Sequence, residues 1–359
     1  MKKVAIVTFH KAHNYGAVLQ AYALKEIIKN LGYDVKFFNY SPDWIIDHYL
    51  LFPKINNENI VTKVKRNLGY YLDIKRRLAR HNGFEFFIRD NLNSWDKEDL
   101  DYIQNIVVGS DQIWNPKITS DFDKECFGFI NVNNNAKIIS YAASMESINP
   151  DLSKQFFSML NNVNKIGVRE NSLKEYIENN VSDVDVFHNL DPTLLLNAKD
   201  WKEISSKSIN YKPYLLVYEN YKDNNTHELA KKIASKRGLE IKILTASACW
   251  RDSKRILSDA NPLDFLTLFA NASFVVTTSY HGLAFAINNS VQFVYINVSN
   301  GVNNRATSLL QVLDLSSYFI LADKFNEDNY ENIDYIGVNN KLDVLRKESI
   351  DFLKNGLME

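Results

Sequence analysis

The sequence predicts an α/β protein built from two Rossmann-like domains facing one another across a cleft, with a helical insert in the first. Three observations carry this. Short apolar, β-branched runs alternate with segments of helical period, the pattern of parallel sheets covered by helices. The alternation lapses across residues 43–100 and then resumes. It starts afresh near Lys212 with a second set of strands and helices. The expected division is 1–200 for the first domain with its insert and 201–340 for the second, with a terminal helix over 341–359 packing back on the first.

Taken in order, "KKVAIVTF" reads as a strand, closed by the polar turn "HKAHNYG". "AVLQAYALKEIIKNLG" sets Leu19, Ala23, Leu24, Ile27, Ile28 and Leu31 on one helical face, and Gly32 ends that helix. "YDVKFFNY" is the second strand, so the chain opens as a β-loop-α-β unit of a parallel sheet. Further strands are expected at 105–109, 137–142, 165–168 and 184–187. In the second half, strands are expected at 214–218, 240–245, 273–278 and 291–296, with helices at 226–237 and 261–272. Asn261 caps the latter helix and Pro262 occupies its first turn, where a missing N–H costs nothing. A short apolar helix is expected from Gly282.

Composition narrows the function classes. The 359 residues carry 42 Lys+Arg against 43 Asp+Glu, a net charge of -1, so the basic excess of a nucleic-acid binder is absent. Cys126 and Cys249 make neither a disulfide framework nor a C-x-x-C pair, which suits a reducing cytoplasm. The N-terminus lacks the long apolar segment of a signal peptide, and no stretch approaches the roughly 20 apolar residues that span a bilayer. A cytoplasmic protein, soluble or peripheral at the inner face of a membrane, is expected. The 13% aromatic content fits large cores as well as sugar-handling clefts.

Ligands of open α/β sheets lie at the carboxyl ends of strands. Four polar clusters occupy such positions: His10, His13, Asn14 and Gly16; Gly109, Ser110, Asp111, Gln112, Trp114 and Asn115; Arg169; and Ser279, Tyr280, His281 and Gly282. A helix starting at Gly282 would aim unpaired N–H groups at the strand end, a ready site for phosphate or carboxylate. Glycine there would let a ligand approach, and Ser279 would cap the helix or donate a hydrogen bond. His281 would serve as a cation or as a proton donor near neutral pH. The plain alternative is a core histidine bonded to a carbonyl.

Several of these segments together resemble the polysaccharide pyruvyl transferase family. They are "NYGAVLQAYAL", "VVGSDQIWNP", "ISYAAS", "GVREN", "LDPTLLL", "NPLDFLTLFANASFVVTTSYHGLAFAI" and "NNRATSLLQVLDL", in order over roughly residues 1–320. "GSDQIWN" with a downstream "SYHG" is the specific part. The resemblance implies a glycosyltransferase-B-like fold and transfer of the enolpyruvyl carbons of phosphoenolpyruvate to a sugar diol, giving a pyruvate ketal and phosphate. On that reading His281 is the acid or the phosphate contact and Asp111 the base. Arg169, Arg305, Ser279 and Gly282 hold the donor, and Asn14, Gly16, Gln112 and Trp114 meet the acceptor. Phosphoenolpyruvate is the donor substrate and no cofactor is implied. The scheme needs no metal, and no Cys/His spacing suggests one. Some relatives carry an arginine two residues before the motif histidine, where this chain has Ser279.

Residues 62–81 hold Lys63, Lys65, Arg66, Lys75, Arg76, Arg77 and Arg80, interleaved with Tyr70, Tyr71, Leu72 and Leu78. A cationic amphipathic helix of this kind suits an anionic membrane surface, and with it a lipid-linked acceptor; a solvated helix face is the alternative. Two other functions share the scaffold: a nucleotide-sugar-dependent glycosyltransferase, and a sugar- or phosphate-binding protein without turnover.

Overall fold

The computed structural model describes residues 1–51, 60–119, 121–132, 135–146, 150–205, 211–219, 224–245, 255–297 and 304–358. Cys249 and the side chains of Lys63, Lys65 and Arg66 lie outside the described residues.

The first unit is a six-stranded parallel sheet in the order β2-β1-β3-β4-β5-β6. Its strands are β1 (Lys3–Val7), β2 (Asp34–Phe37), β3 (Ile103–Val108), β4 (Lys137–Ala143), β5 (Lys165–Val168) and β6 (Val186–His188). Its helices are α1 (Tyr15–Asn30), α2 (Asp43–His48), α3 (Ile60–Asn91), α4 (Pro116–Thr119), α5 (Ser153–Leu160), α6 (Asn171–Asn180) and α7 (Ala198–Ile204). The second sheet runs β12-β11-β10-β7-β8-β9, also parallel throughout. It is formed by β7 (Tyr214–Tyr218), β8 (Glu240–Leu244), β9 (Ile256–Leu257), β10 (Phe274–Thr277), β11 (Phe293–Ile296) and β12 (Phe319–Ile320). Around it lie α8 (Asn224–Arg237), α9 (Pro262–Ala270), α10 (Tyr280–Asn288), α11 (Asn304–Val312) and α12 (Tyr335–Met358). This is a two-domain Rossmann-like α/β fold. Val4 to Val7 and the whole of β7 and β10 are buried, which is why these strands read as unbroken apolar runs.

Chain order reverses between β1 and β3 in one sheet and between β7 and β10 in the other. These are the switch points beside which such sheets open a crevice. The local chemistry that starts the flanking helices is plain. Asn14 accepts from the Ala17 N–H to cap α1, and Asn261 with Asp264 forms a reciprocal capping box on α9. One boundary differs from the sequence expectation. Helix α10 starts at Tyr280, two residues before Gly282, so His281 lies within its first turn.

The insert is dominated by α3, a helix of 32 residues that reaches across to the second domain. Arg76 donates to Ser258 Oγ at 3.2 Å, and Arg80 donates to the Thr245 carbonyl at 3.3 Å. At Gly83 the helix passes so close to α9 that an added Cβ would come within 2.5 Å of Asn261 Cβ. Helix α12 crosses the other way. Its Ser349 hydroxyl accepts from the Leu190 N–H at 3.0 Å, and Phe352 stacks on Phe187. No helix among the described residues is long and apolar enough to cross a membrane.

His10, at the end of the β1 loop, is fully buried, stacked on Phe37 at 4.6 Å, with Nδ1 3.1 Å from the Thr8 carbonyl. Burial pulls its pKa down to about 4. Below the ordinary histidine value near 6.5 the unfolded chain takes up a proton that the folded chain refuses. Stability should therefore fall as pH drops from 6.5 to 4, by about 3 kcal/mol from this group. Urea melts across that range are expected to show a shallower slope for His10→Asn; an unchanged slope would refute the assignment.

Candidate active site

A cavity of about 700 Å³ opens between the domains at the two switch points. The loop after β1 and the start of α1 contribute Phe9, Ala12 to Tyr15 and Ala17, and the segment after β3 contributes Asp111, Gln112, Asn115 and Lys117. From the facing sheet come Tyr218 at the end of β7 and Thr278 to His281 after β10. Arg305 of α11, Arg80 of α3, Glu146 and the α2 segment with Trp44, His48 and Tyr49 also line it.

His281 is the centre of this arrangement. Its imidazole lies so close over Gly16 that a Cβ on that residue would overlap the ring. Gly16 is therefore a contact glycine for the imidazole rather than an open edge for an acceptor. On its other side Nε2 is 3.8 Å from Asp191 Oδ2, with no hydrogen-bond partner of its own. Burial pushes the His281 pKa below the usual histidine range, opposed by the charges of Asp191 and Asp111.

Asp191 was not singled out by the sequence, where it is merely the Asp of "LDPT". It is fully buried and takes four protein contacts. Arg169 Nη1 donates at 2.6 Å and Ser110 Oγ at 3.4 Å to Oδ2, while the Thr193 N–H and hydroxyl donate at 2.9 and 2.7 Å to Oδ1. Burial opposes its charge, but His281, Arg169 and the Thr193 bonds outweigh that, and its pKa falls below the usual carboxylate value. Arg169, equally buried, is held charged in the same way: burial works against it, and Asp191 and then Asp111 more than compensate.

Other sequence-derived assignments fare differently. Arg169 does not line the cavity; it lies behind it, locked to Asp191 and 3.6 Å from Asp111. As drawn, it holds other side chains in place instead of offering an open hook for an anion. Gly282 is likewise withdrawn, packed where a Cβ would strike Thr277 and Tyr218. Trp114 is fully buried, donates its indole N–H to the Cys126 carbonyl at 2.9 Å, and stacks on Phe127. It belongs to the core, and no sugar face reaches it. Ser279 follows β10 and precedes α10 as its N-cap residue, yet its side chain makes no capping bond.

Asp111, Gln112, Asn14, Ser279 and Arg305 do line the cavity. Asp111 Oδ1 accepts from the Gln112 N–H at 2.8 Å, and Gln112 Oε1 accepts from Asn115 at 2.7 Å. Arg305 donates to Glu146 at 3.0 Å and faces the Tyr280 ring at 5.7 Å, while Arg169 faces the same ring at 4.9 Å. Arg80, read from sequence as part of a membrane-binding segment, instead lines this cavity, stacked over Tyr15 and donating to its hydroxyl. The signal for it was its helical phase relative to Arg76: four residues apart on α3, both point at the second domain.

Gly16→Ala is expected to cost about 1–3 kcal/mol, as overpacking usually does. Most of that loss should vanish when the same change is made in a His281→Ala background, because the obstructing ring is gone. Urea denaturation of the four species reads the cycle, and equal losses in both backgrounds would refute the contact.

The polysaccharide pyruvyl transferase family profile matches residues 14–300. No curated protein matches the chain. Among solved structures it is similar to the UDP-GlcNAc 2-epimerase of Methanocaldococcus jannaschii, with 13% identity, 96% of this chain and 93% of that one covered, and a TM-score of 0.47. The Neisseria meningitidis UDP-GlcNAc 2-epimerase bound to UDP-GlcNAc gives 11% identity, 97% and 99% coverage, and a TM-score of 0.46. A glycosyltransferase from Rickettsia africae gives 12%, 99% and 98%, and 0.44.

Proposed function

The chain belongs to the polysaccharide pyruvyl transferase family, and on that basis we propose that it transfers the enolpyruvyl group of phosphoenolpyruvate to a sugar diol, forming a pyruvate ketal. The observation that carries this reading is His281. It is a buried imidazole with an unpartnered Nε2 next to a carboxylate, on the wall of a cavity that also presents Arg80, Lys117 and Arg305. A trianionic donor entering there would raise the His281 pKa and draw a proton onto the ring. Protonated, His281 gives that proton to the methylene carbon of the donor, leaving an oxocarbenium-like centre at the adjacent carbon. Asp111 takes the proton of the sugar hydroxyl as its oxygen bonds to that centre. Departure of phosphate regenerates an oxocarbenium-like centre; the second hydroxyl attacks it and gives up its proton to the His281 imidazole, which closes the ketal.

Arg169 and Asp191 act in this scheme as positioning residues, holding the carboxylate that stabilises the imidazolium. The cation that some relatives place at the position of Ser279 is supplied here by Arg80. Tyr218 lines the same wall as Ser279, and its hydroxyl lies within the field of Arg80.

Purified protein with phosphoenolpyruvate and a panel of galactosides and mannosides is expected to release phosphate and to form products heavier by the pyruvyl increment. His281→Ala should reduce turnover by about 10²–10⁴-fold, the range for loss of a general acid. Binding of phosphoenolpyruvate without turnover on any acceptor would favour a binding protein. A thermal shift with nucleotide sugars but none with phosphoenolpyruvate would favour a glycosyltransferase and overturn the donor.

The proposed acceptor is lipid-linked, and α3 is the surface that would meet the membrane. Arg76 and Arg80 are turned inward, but Tyr71, Leu72, Leu78 and Phe86 are exposed, with Lys75 among them. Salt-sensitive co-sedimentation with phosphatidylglycerol vesicles is expected, and Leu72→Glu with Leu78→Glu should abolish it. No salt-sensitive binding by the unaltered protein would leave α3 a solvated face.

A further inference from the structure

Beside the cavity, three side chains from distant parts of the sequence converge. Among the described residues, His13, His81 and Glu85 present ligand atoms that all lie within 4.8 Å of one another. We propose that they form a binding site for a divalent transition metal of the zinc class, using two imidazole nitrogens and one carboxylate oxygen.

The placement follows from the fold. His81 and Glu85 are four residues apart on α3, so they share one face of that helix. His13 reaches them from the loop after β1, and its Nε2 is 2.8 Å from Glu85 Oε1. The His13 ring is fixed by stacking on the buried Phe84, with centroids 5.2 Å apart and planes within 14°. Tyr49 flanks it at 5.8 Å. The two imidazoles are themselves 4.8 Å apart, centre to centre. Ligand atoms around a tetrahedral zinc, at about 2.0–2.1 Å from the metal, are roughly 3.3 Å apart. One pair is already close to that spacing. The other separations call for rotation of the His81 and Glu85 side chains, of which Glu85 is exposed.

The donor set decides the metal class. Two nitrogens and one oxygen suit zinc, cobalt or nickel, whereas magnesium and calcium take oxygen ligands. Three protein ligands leave a fourth position for water or a substrate oxygen. His13 lines the cavity, so that position lies at the wall where the acceptor would enter. Two cations stand near: Arg80, which donates to Tyr15 and Thr245, and Lys11, which donates to Asn39. Both weaken attraction for a dication without occupying a ligand atom. Sequence inspection expects no metal because it looks for close spacing, and here 68 residues separate the first ligand from the second.

The test uses metal alone and is independent of the donor assignment. Chelator-stripped full-length protein is titrated with zinc by calorimetry, and cobalt binding is followed by visible absorption, which reports the ligand set. Saturable uptake of one ion per chain is expected. His81→Ala and Glu85→Gln should each weaken zinc binding by at least about 100-fold, the upper end of what even outer-shell changes cost. His227→Ala, which breaks a comparable histidine–glutamate pair (2.7 Å to Glu219) that is not part of a three-ligand cluster among the described residues, should leave uptake unchanged. Absence of saturable uptake by the unaltered protein would overturn the site, as would equal affinity in the His81 and Glu85 variants when circular dichroism shows them folded. His13 and Glu85 would then be a hydrogen-bonded pair and nothing more.

Discussion

Asp191 is the group on which the arrangement of the cleft depends. A carboxylate with no exposed surface is tolerated only when its oxygens are filled, and here they are shared among Arg169, Ser110 and Thr193. Each partner comes from a different piece of the first domain: the end of β5, the loop after β3, and the turn after β6. The charge therefore ties three strand ends together at the sheet edge where the cavity opens. His281 arrives from the second domain against the remaining side of the same carboxylate. Removing only one partner of such a buried pair leaves the other charge stranded, at a cost of about 3–5 kcal/mol. Its geometry is for that reason hard to deform piecemeal.

The cleft also has a mechanical frame. Helix α3 leaves the first domain and bonds to Ser258 and Thr245 of the second, while Tyr15 at the start of α1 donates to the Ala260 carbonyl at 2.7 Å. Helix α12 returns from the second domain to the first, where Asn105 donates to the Leu357 carbonyl and Gly356 packs on Ile139. Arg346 of that helix donates to Leu194 at 2.6 Å and to Asn288 at 2.8 Å, touching both domains at once. Two helices crossing in opposite directions hold the switch points face to face. The close approach of His281 to Gly16 is possible because of them.

Much of this was legible in the sequence, for a physical reason. Strands of a parallel sheet are buried on both faces, so β1, β7 and β10 appear as continuous apolar runs with polar residues at their carboxyl ends. Asp111, Gln112, Asn14, Ser279 and His281 follow such runs, and each lines the cavity. Strand ends do not reveal how far a side chain reaches. Trp114 and Arg169 follow equally good strands and point into the core, because burial depends on the helices and loops that cover them. Asp191 was hidden by the ordinary look of a helix-capping Asp before Pro, a role it also fills by accepting from the Thr193 N–H. Arg80 and the His13, His81 and Glu85 cluster were hidden by distance. Their meaning arises only when α3 lies against the loop after β1, a long-range packing event with no local signature.

The charge of the cavity wall bears on what it accepts. Arg80, Lys117 and Arg305 face Asp111 and Glu146, and Glu146 is already engaged by Arg305. Glu170 is buried and accepts from Ser144, and burial raises its pKa against the pull of Arg169 and that bond. The Tyr280 ring, faced by the guanidinium groups of both Arg169 and Arg305, spreads cationic potential along one side through contacts that need no counter-anion. Arg305 is thus ion-paired with Glu146, whereas Arg80 has aromatic and carbonyl partners. Arg80 is bonded to a phenol and a carbonyl, neither of which cancels its charge. Arg80 is in this way held fixed without being neutralised. On the proposed reading, a fixed but uncancelled cation of this kind is what would hold a small polyanion in a crevice that also admits an uncharged sugar.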